Sequence, residues 1–292
     1  MDVMQVLVSG VLMGGVYALV GLGLTLIFGV MHVVNLAHGD FLMLAMYFAF
    51  WGATIANLSP YVSLFVIAPL MALFGTVVYW GVLRRAMHKS AEMSILATLG
   101  LSIVIQNVAL MVWSADYRSI HSELTQSVIT WGALRIPIPL LIAFVVALVV
   151  TVLVFLFMHF TFPGKAIRAV ASDRYAATLM GVNPQRLFAI SFAIGSALVG
   201  VAGVLITPIY SVYPTVGGQF LLIAFVVVVL GGLGSLPGAV VGGLLVGLLE
   251  ALSSYYIAPS MKEIVYLLAF IVILILRPNG LLGKRIEGVD FS

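Results

Sequence analysis

Long apolar runs constrain this chain more than any other feature in it. Stretches such as Leu140–Phe157 and Leu221–Leu230 are separated by short polar connections. A hydrocarbon slab of about 30 Å calls for roughly 20 apolar residues per helical span, and lipid obliges the backbone to satisfy its own hydrogen bonds. A transmembrane barrel would instead alternate apolar and polar residues in segments of about 10 residues, and these runs do not alternate. Only 8% of the residues are charged, against about a quarter in a soluble domain, too few to build a water-facing surface. The expected fold class is therefore all-α, a polytopic helical membrane protein. Candidate spans are 5–30, 40–57, 61–83, 93–113, 138–160, 187–207, 219–232, 238–257 and 263–276. Several are short for a full crossing, so the expectation is about eight or nine spans.

The few charges gather in connections, where they report orientation. Arg84, Arg85 and Lys89 outnumber Glu92 in 84–92, and Lys165, Arg168, Arg174 and Arg186 outnumber Asp173 in 161–186. The tail sets Arg277, Lys284 and Arg285 against Glu287 and Asp290, whereas 114–137 balances Arg118 and Arg135 with Asp116 and Glu123. The positive-inside rule then places 84–92, 161–186 and the C-terminus in the cytoplasm and 114–137 outside. Nine crossings would put the N-terminus outside as well. The net charge of +3 is thus read as orientation, and no nucleic-acid partner is expected. There is no cysteine, which excludes disulfides and thiolate chemistry. No Lys or Arg precedes the first apolar run, which is read as a permanent span rather than a cleaved signal.

Much of the glycine lies inside the spans. Gly10-x3-Gly14, Gly238-x3-Gly242 and Gly243-x3-Gly247 place small residues on single helix faces. Tight helix packing is the ordinary reading of such motifs, and a path lined by exposed backbone is the functional one. Leu230–Gly238 is too rich in glycine to stay helical and predicts a sharp break between two short helices.

Polar residues stand out against this background. Asn35, His38, Gly39 and Asp40 lie in Val34–Asp40 between apolar helices. They fit either a plain cytoplasmic turn or a helix broken within the membrane whose freed groups face a transport path. No metal is expected there, since His32 and His38, six positions apart, share no helix face. Gln106, Asn107 and Glu250 sit inside spans, and together with the four residues of the break they are the candidate path residues. Glu250 must face protein or water, with Ser253 and Ser254 one turn on as possible partners. A proton-coupled pump would show several such carboxylates and a basic partner. In the connection 161–186, Ser172-Asp173 offers an N-cap to a short helix at Tyr175–Met180, stopped by Gly181 and Pro184.

The chain contains no engine. Gly280-Leu-Leu-Gly-Lys-Arg285 has the wrong spacing for a phosphate loop and no hydroxyl after the lysine. Neither a Gly-x-Ser-x-Gly elbow nor a His-Glu-x-x-His helix occurs. The chain is expected not to be an enzyme and to bind no cofactor.

Several segments carry a more specific likeness: Tyr17-Ala-Leu, Val34–Asp40, Leu101-Ser-Ile-Val-Ile-Gln-Asn107, Leu230–Gly238 with Gly242-Gly243, and Arg277-Pro-Asn-Gly-Leu-Leu-Gly283. Over nearly its whole length the chain resembles the H-type permease subunits of branched-chain amino acid ABC importers. The resemblance implies one transmembrane permease domain over 1–292, of type II-like importer architecture, with a cytoplasmic coupling loop at about 161–186. Ala176-Ala177-x3-Gly181 resembles the EAA loop that docks onto the ATPases, although Tyr175 replaces its glutamate and the trailing Ile-x-Leu-Pro is absent. The residues implied in coupling are Arg168, Asp173, Arg174, Ala176, Ala177, Gly181 and Asn183. The implied partners are a second, related permease, two cytoplasmic ATPase subunits that consume the ATP, and an external substrate-binding protein. The implied location is a bacterial-type inner membrane. The family that the chain resembles includes permeases similar to those for urea, other amino acids and aromatic acids, so a related solute is the first alternative. An ion-coupled transporter working alone is the second.

Overall fold

The computed structural model describes residues 3–120, 127–132 and 134–283; Glu123 and the tail charges Lys284, Arg285, Glu287 and Asp290 lie outside the described residues. The elements are α1 (Val3–Met31), α2 (His38–Ala56), α3 (Pro60–Met87), α4 (Ala91–Trp113), strands β1 (Val128–Trp131) and β2 (Leu134–Pro137), and α5 (Ile138–Phe160). They continue with α6 (Phe162–Ser172), α7 (Arg174–Leu179), α8 (Pro184–Ile206), α9 (Val216–Gly231), α10 (Leu236–Tyr256) and α11 (Lys262–Leu276). Among the described residues, 8 helical segments are long and apolar enough to cross a membrane, and α9 is a shorter apolar helix of 16 residues. This agrees with the expected eight or nine spans, since α9 covers only about 24 Å at about 1.5 Å per residue.

Burial separates centre from periphery. In α1 and α8, 78% of the apolar window is buried, against 22% in α4 and α5 and 6% in α11. The centre is built on glycine. An added Cβ on Gly10 would lie 3.0 Å from Gly247 O and the Cα of Leu248, and one on Gly14 would lie 2.8 Å from the Cα of Leu244. In return, Gly243 faces the backbone of Ala18, and Gly247 that of Gly10 and Gly14. The first and third small-residue motifs are therefore the two halves of one α1–α10 seam. The middle motif turns the other way, with Gly238 against Gly231 and Gly242 against Val227 O on α9. Tight packing, the ordinary reading of these motifs, is what they do. Without a water-driven hydrophobic term inside lipid, close backbone approach supplies the attraction.

The glycine-rich break falls where expected. Gly232 (φ 106°) and Gly234 (φ 79°) take left-handed conformations, open chiefly to glycine, and Ser235 Oγ caps α10 by accepting from Gly238 N at 3.1 Å. The segment 277–283 stands on this break: Leu281 N and Leu282 N donate to Leu230 O and Gly231 O, both at 2.9 Å. Carbonyls that α9 would leave orphaned at its C-terminus are thus satisfied by the chain's own ending.

Three features differ from the sequence expectation. Helix α3 runs past position 83 to Met87 through a π-helical turn at Tyr79–Leu83, because Arg84 and Arg85 end the apolar run without ending the helix. The connection 161–186 holds two helices rather than one. The connection 114–137 contains an antiparallel hairpin, Val128↔Pro137 to Trp131↔Leu134. Its β-branched residues favour strands, and Gln5 of α1 pins it in place, donating to Arg135 O at 2.6 Å and accepting from Arg135 N at 2.7 Å. Arg118 pairs with Val212 by two backbone bonds of 3.0 and 2.8 Å. The start of α1, the 114–137 connection and the α8–α9 connection therefore share one end of the bundle.

Candidate functional site

Helix α1 ends at Met31, His32 turns the chain at φ 54°, and α2 begins at His38. The side chain of His38 does not lie level with the end of α1. Its Nε2 stands 3.1 Å from Val20 O, eleven residues before Met31, or about 16 Å back along the helix axis at about 1.5 Å per residue. Residues 32–37 therefore climb back into the bundle. Val34–Asp40 thus joins α1 to α2 with its polar side chains buried inside the bundle.

Glycine makes room for this re-entry. An added Cβ on Gly23 would sit 2.8 Å from Gly195 O and 3.1 Å from His38 Cε1. Gly39 faces the carbonyl of Gly217 at the start of α9 with no space for a side chain. Asn35 folds the break locally, its Oδ1 accepting from Ala37 N at 3.1 Å while its carbonyl accepts from His38 N at 3.2 Å. Helix α4 serves the backbone that remains: Thr98 Oγ1 accepts from Leu36 N at 3.2 Å. Two residues into α2, Asp40 Oδ1 accepts from Gln106 Nε2 at 2.9 Å, and the same amide reaches Ser102 Oγ at 3.2 Å. Asn35, His38 and Asp40 are all buried. Asn35 Nδ2 and His38 Nδ1 have no protein partner, a rare condition for buried polar atoms that calls for a specific cause.

The remaining candidates are not gathered at this point. Asn107, one residue and about 100° round the helix from Gln106, is exposed on the outer face of α4 and donates to Ile103 O of its own helix at 2.8 Å. Glu250 lies near the opposite end of the bundle, and its Oε1 accepts from Lys262 Nζ at 2.7 Å. Tyr17 and Tyr210 lie within electrostatic reach of the same carboxylate, whose Oε2 is buried without a hydrogen-bond partner. The serines considered as its partners are not used, and Ser253 Oγ is itself buried without a partner. Lys262 was invisible as a partner because it stands at the start of α11, just outside the apolar run. Replacing Lys262 by Met should lower the stability of the purified chain by about 2 kcal/mol by leaving a carboxylate uncompensated, and adding Glu250→Gln should restore most of it. Equal thermal melts of the single and double variants would remove this role for the pair.

At the end of the bundle carrying 161–186, Thr161 caps α6 by accepting from Gly164 N at 3.2 Å. Asp173 caps α7 by accepting from Tyr175 N at 2.8 Å and Ala176 N at 2.9 Å. Gly181 ends the turn at φ 83°, and Asn183 caps α8 through Gln185 N at 3.1 Å and Arg186 N at 3.3 Å. Ala177 is buried beneath α7, while Tyr175, Leu179 and Met180 are 75%, 71% and 84% exposed. A short capped helix thus presents three large side chains outward. Arg168 on α6 and Arg174 on α7 are both exposed, and Arg174 lays its guanidinium 5.0 Å from the ring centre of Phe188.

Residues 6–274 match the family model described as the branched-chain amino acid transport system permease component. The chain belongs to that family. It is 32% identical, over 96% of both chains, to the high-affinity branched-chain amino acid transport system permease protein LivH of Escherichia coli K12. Identity is 31%, again over 96% of both chains, to the corresponding permease protein BraD of Pseudomonas aeruginosa. A more distant relative is the ribose import permease protein RbsC of Haemophilus influenzae, at 28% identity over 87% of this chain and 81% of that one. No solved structure matches the chain.

Within this permease, sequence reasoning missed the inward face of α4. Ser94, Thr98 and Ser102 are buried and Gln106 half-buried; at four-residue spacing they form one polar stripe along the helix. That spacing was legible and was masked by the apolar residues around it.

Proposed function

We propose that this permease is the membrane subunit of an ATP-driven importer of branched-chain amino acids and acts as one transmembrane domain over 1–292. The observation that carries the reading is the 32% identity to LivH across 96% of both chains. The chain would pair with a second, related permease and receive solute from an external binding protein. Two cytoplasmic ATPase subunits would supply the energy, so this subunit is non-catalytic and holds no cofactor of its own. The docking surface would be α7, with Tyr175, Leu179 and Met180 inserted into the ATPase and Arg168, Asp173, Ala176, Ala177, Gly181 and Asn183 shaping the contact. The cytoplasmic charge excess of 84–92 and 161–186 supports a cytoplasmic C-terminus and an outer N-terminus.

The break Asn35–Asp40 and the polar stripe of α4 would be the part of the path contributed by this subunit. Asp40 and Gln106 would latch α2 to α4 across it. On that reading Asp40→Leu should abolish uptake and Asp40→Asn, which keeps an acceptor, should retain much of it; equal uptake by the two variants would dismiss the latch.

Reconstitution tests the whole reading. Vesicles containing both permeases and both ATPases should accumulate leucine only when ATP is inside and the binding protein outside. Leucine uptake driven by an ion gradient in vesicles lacking the ATPases would overturn the importer assignment. The distant similarity to a ribose permease gives the second reading, another small solute; ATP-driven uptake of ribose but not leucine would select it.

A further inference from the structure

The π-helical turn Tyr79–Leu83 sits where α3 leaves the bundle. π-turns within helices are uncommon and frequent at functional sites. Beside it, Arg84, His88, Arg174 and Gln185 stand round a floor that includes Tyr79 and Phe188, lining a small cleft open to the surface. Both guanidiniums are held by aromatic rings, Arg84 at 4.6 Å from the ring centre of Trp80 and Arg174 at 5.0 Å from that of Phe188. Both act electrostatically on the phenol of Tyr79. Among the described residues the one ion pair is Glu250–Lys262, so neither arginine is neutralised by a carboxylate there. The cleft also lies at the N-terminus of the 23-residue α8, the positive end of its dipole.

A second feature leads into this cleft. Leu70, Leu73, Val77 and Trp80 are all exposed on α3. Their three- and four-residue spacing forms one apolar stripe along the helix that ends at Arg84. An acyl chain lying on the stripe would bring its headgroup to the two arginines, with Trp80 at the level where indoles settle in membranes. We propose that the cleft binds the phosphate of an anionic phospholipid headgroup from the adjoining leaflet. Arg174 is the first residue of α7, so the cleft borders the surface proposed to dock onto the ATPase.

Native mass spectrometry of the full-length permease in detergent tests this, with dioleoyl phosphatidylglycerol and dioleoyl phosphatidylcholine titrated separately. The chain should retain phosphatidylglycerol at about ten-fold lower concentration than phosphatidylcholine, as two basic residues facing an anionic headgroup imply. The double variant Arg84→Gln with Arg174→Gln should lose the preference. Arg85→Gln should keep it, because Arg85 is exposed and bonds Gly81 O of its own helix at 2.9 Å. Arg84→Lys with Arg174→Lys, which preserves charge, should retain part of the preference and guards against a double variant that does not fold. Equal retention of the two lipids by the unaltered chain, or an undiminished preference in the glutamine variant, would overturn the proposal. Displacement of phosphatidylglycerol by excess inorganic phosphate with no residual effect of the acyl chains would show a free-anion site instead. Loss of ATPase co-purification in the glutamine variant with the lipid preference intact would assign the arginines to the ATPase contact.

Discussion

Gly247→Val should leave almost no folded permease in the membrane. A Cβ at position 247 meets the carbonyl of Gly10 and the N and Cα of Gly14, which are backbone atoms that cannot turn aside as a side-chain tip can. Ordinary overpacking of a core costs about 1–3 kcal/mol. Here relief requires α1 and α10 to separate along their length, and α1 is one of the two most buried spans. The loss should therefore exceed about 3 kcal/mol. Gly100→Ala supplies the opposite case. Nothing lies within 4 Å of a Cβ at that position, so the substitution should stabilise α4 by up to about 1 kcal/mol through helix propensity. Thermal melts and membrane yields of the two variants measure both. Normal yield of Gly247→Val would mean that the α1–α10 seam is not as close as the structure has it.

The second large effect is expected at Gly181. Its φ of 83° strains most side chains, though asparagine tolerates this region, and an added Cβ there meets nothing within 4 Å. A substitution therefore spares the interior and acts on the outer surface of the coupling segment. Gly181→Arg should tilt α7 and place a guanidinium on the surface proposed to dock. Co-purification of the ATPases should fall by roughly 30-fold or more, the scale of losing an interface hot spot, while insertion is unchanged. Gly181→Asn should retain binding. Normal co-purification of the arginine variant would remove the coupling assignment for α7.

How far the sequence reached depended on whether the signal was local. The spans, the break after Gly231 and the capped turn before Gly181 each rest on neighbouring residues: apolar runs, glycine runs, a carboxylate before a helix. They were legible for that reason. The hairpin at Val128–Pro137 was not, because its four-residue strands are held as much by Gln5 as by their own pairing. Lys262 was passed over because its partner is twelve residues away across a turn. Gln106 and Asn107 looked equivalent in the sequence, yet one faces Asp40 and the other faces outward.

The sequence by itself determined that this chain is a bundle of membrane-spanning helices, because lipid permits few other solutions for runs so apolar and so poor in charge. Only the tertiary structure decided where the polar residues go. His38 can reach back to Val20 O only where glycines on α1, α8 and α9 pack closely enough to yield the space. The glycines that do so, Gly23, Gly195 and Gly217, lie up to about 200 positions apart in the chain. Depth in a bundle is set by such distant pairings, and no window of neighbouring residues contains them.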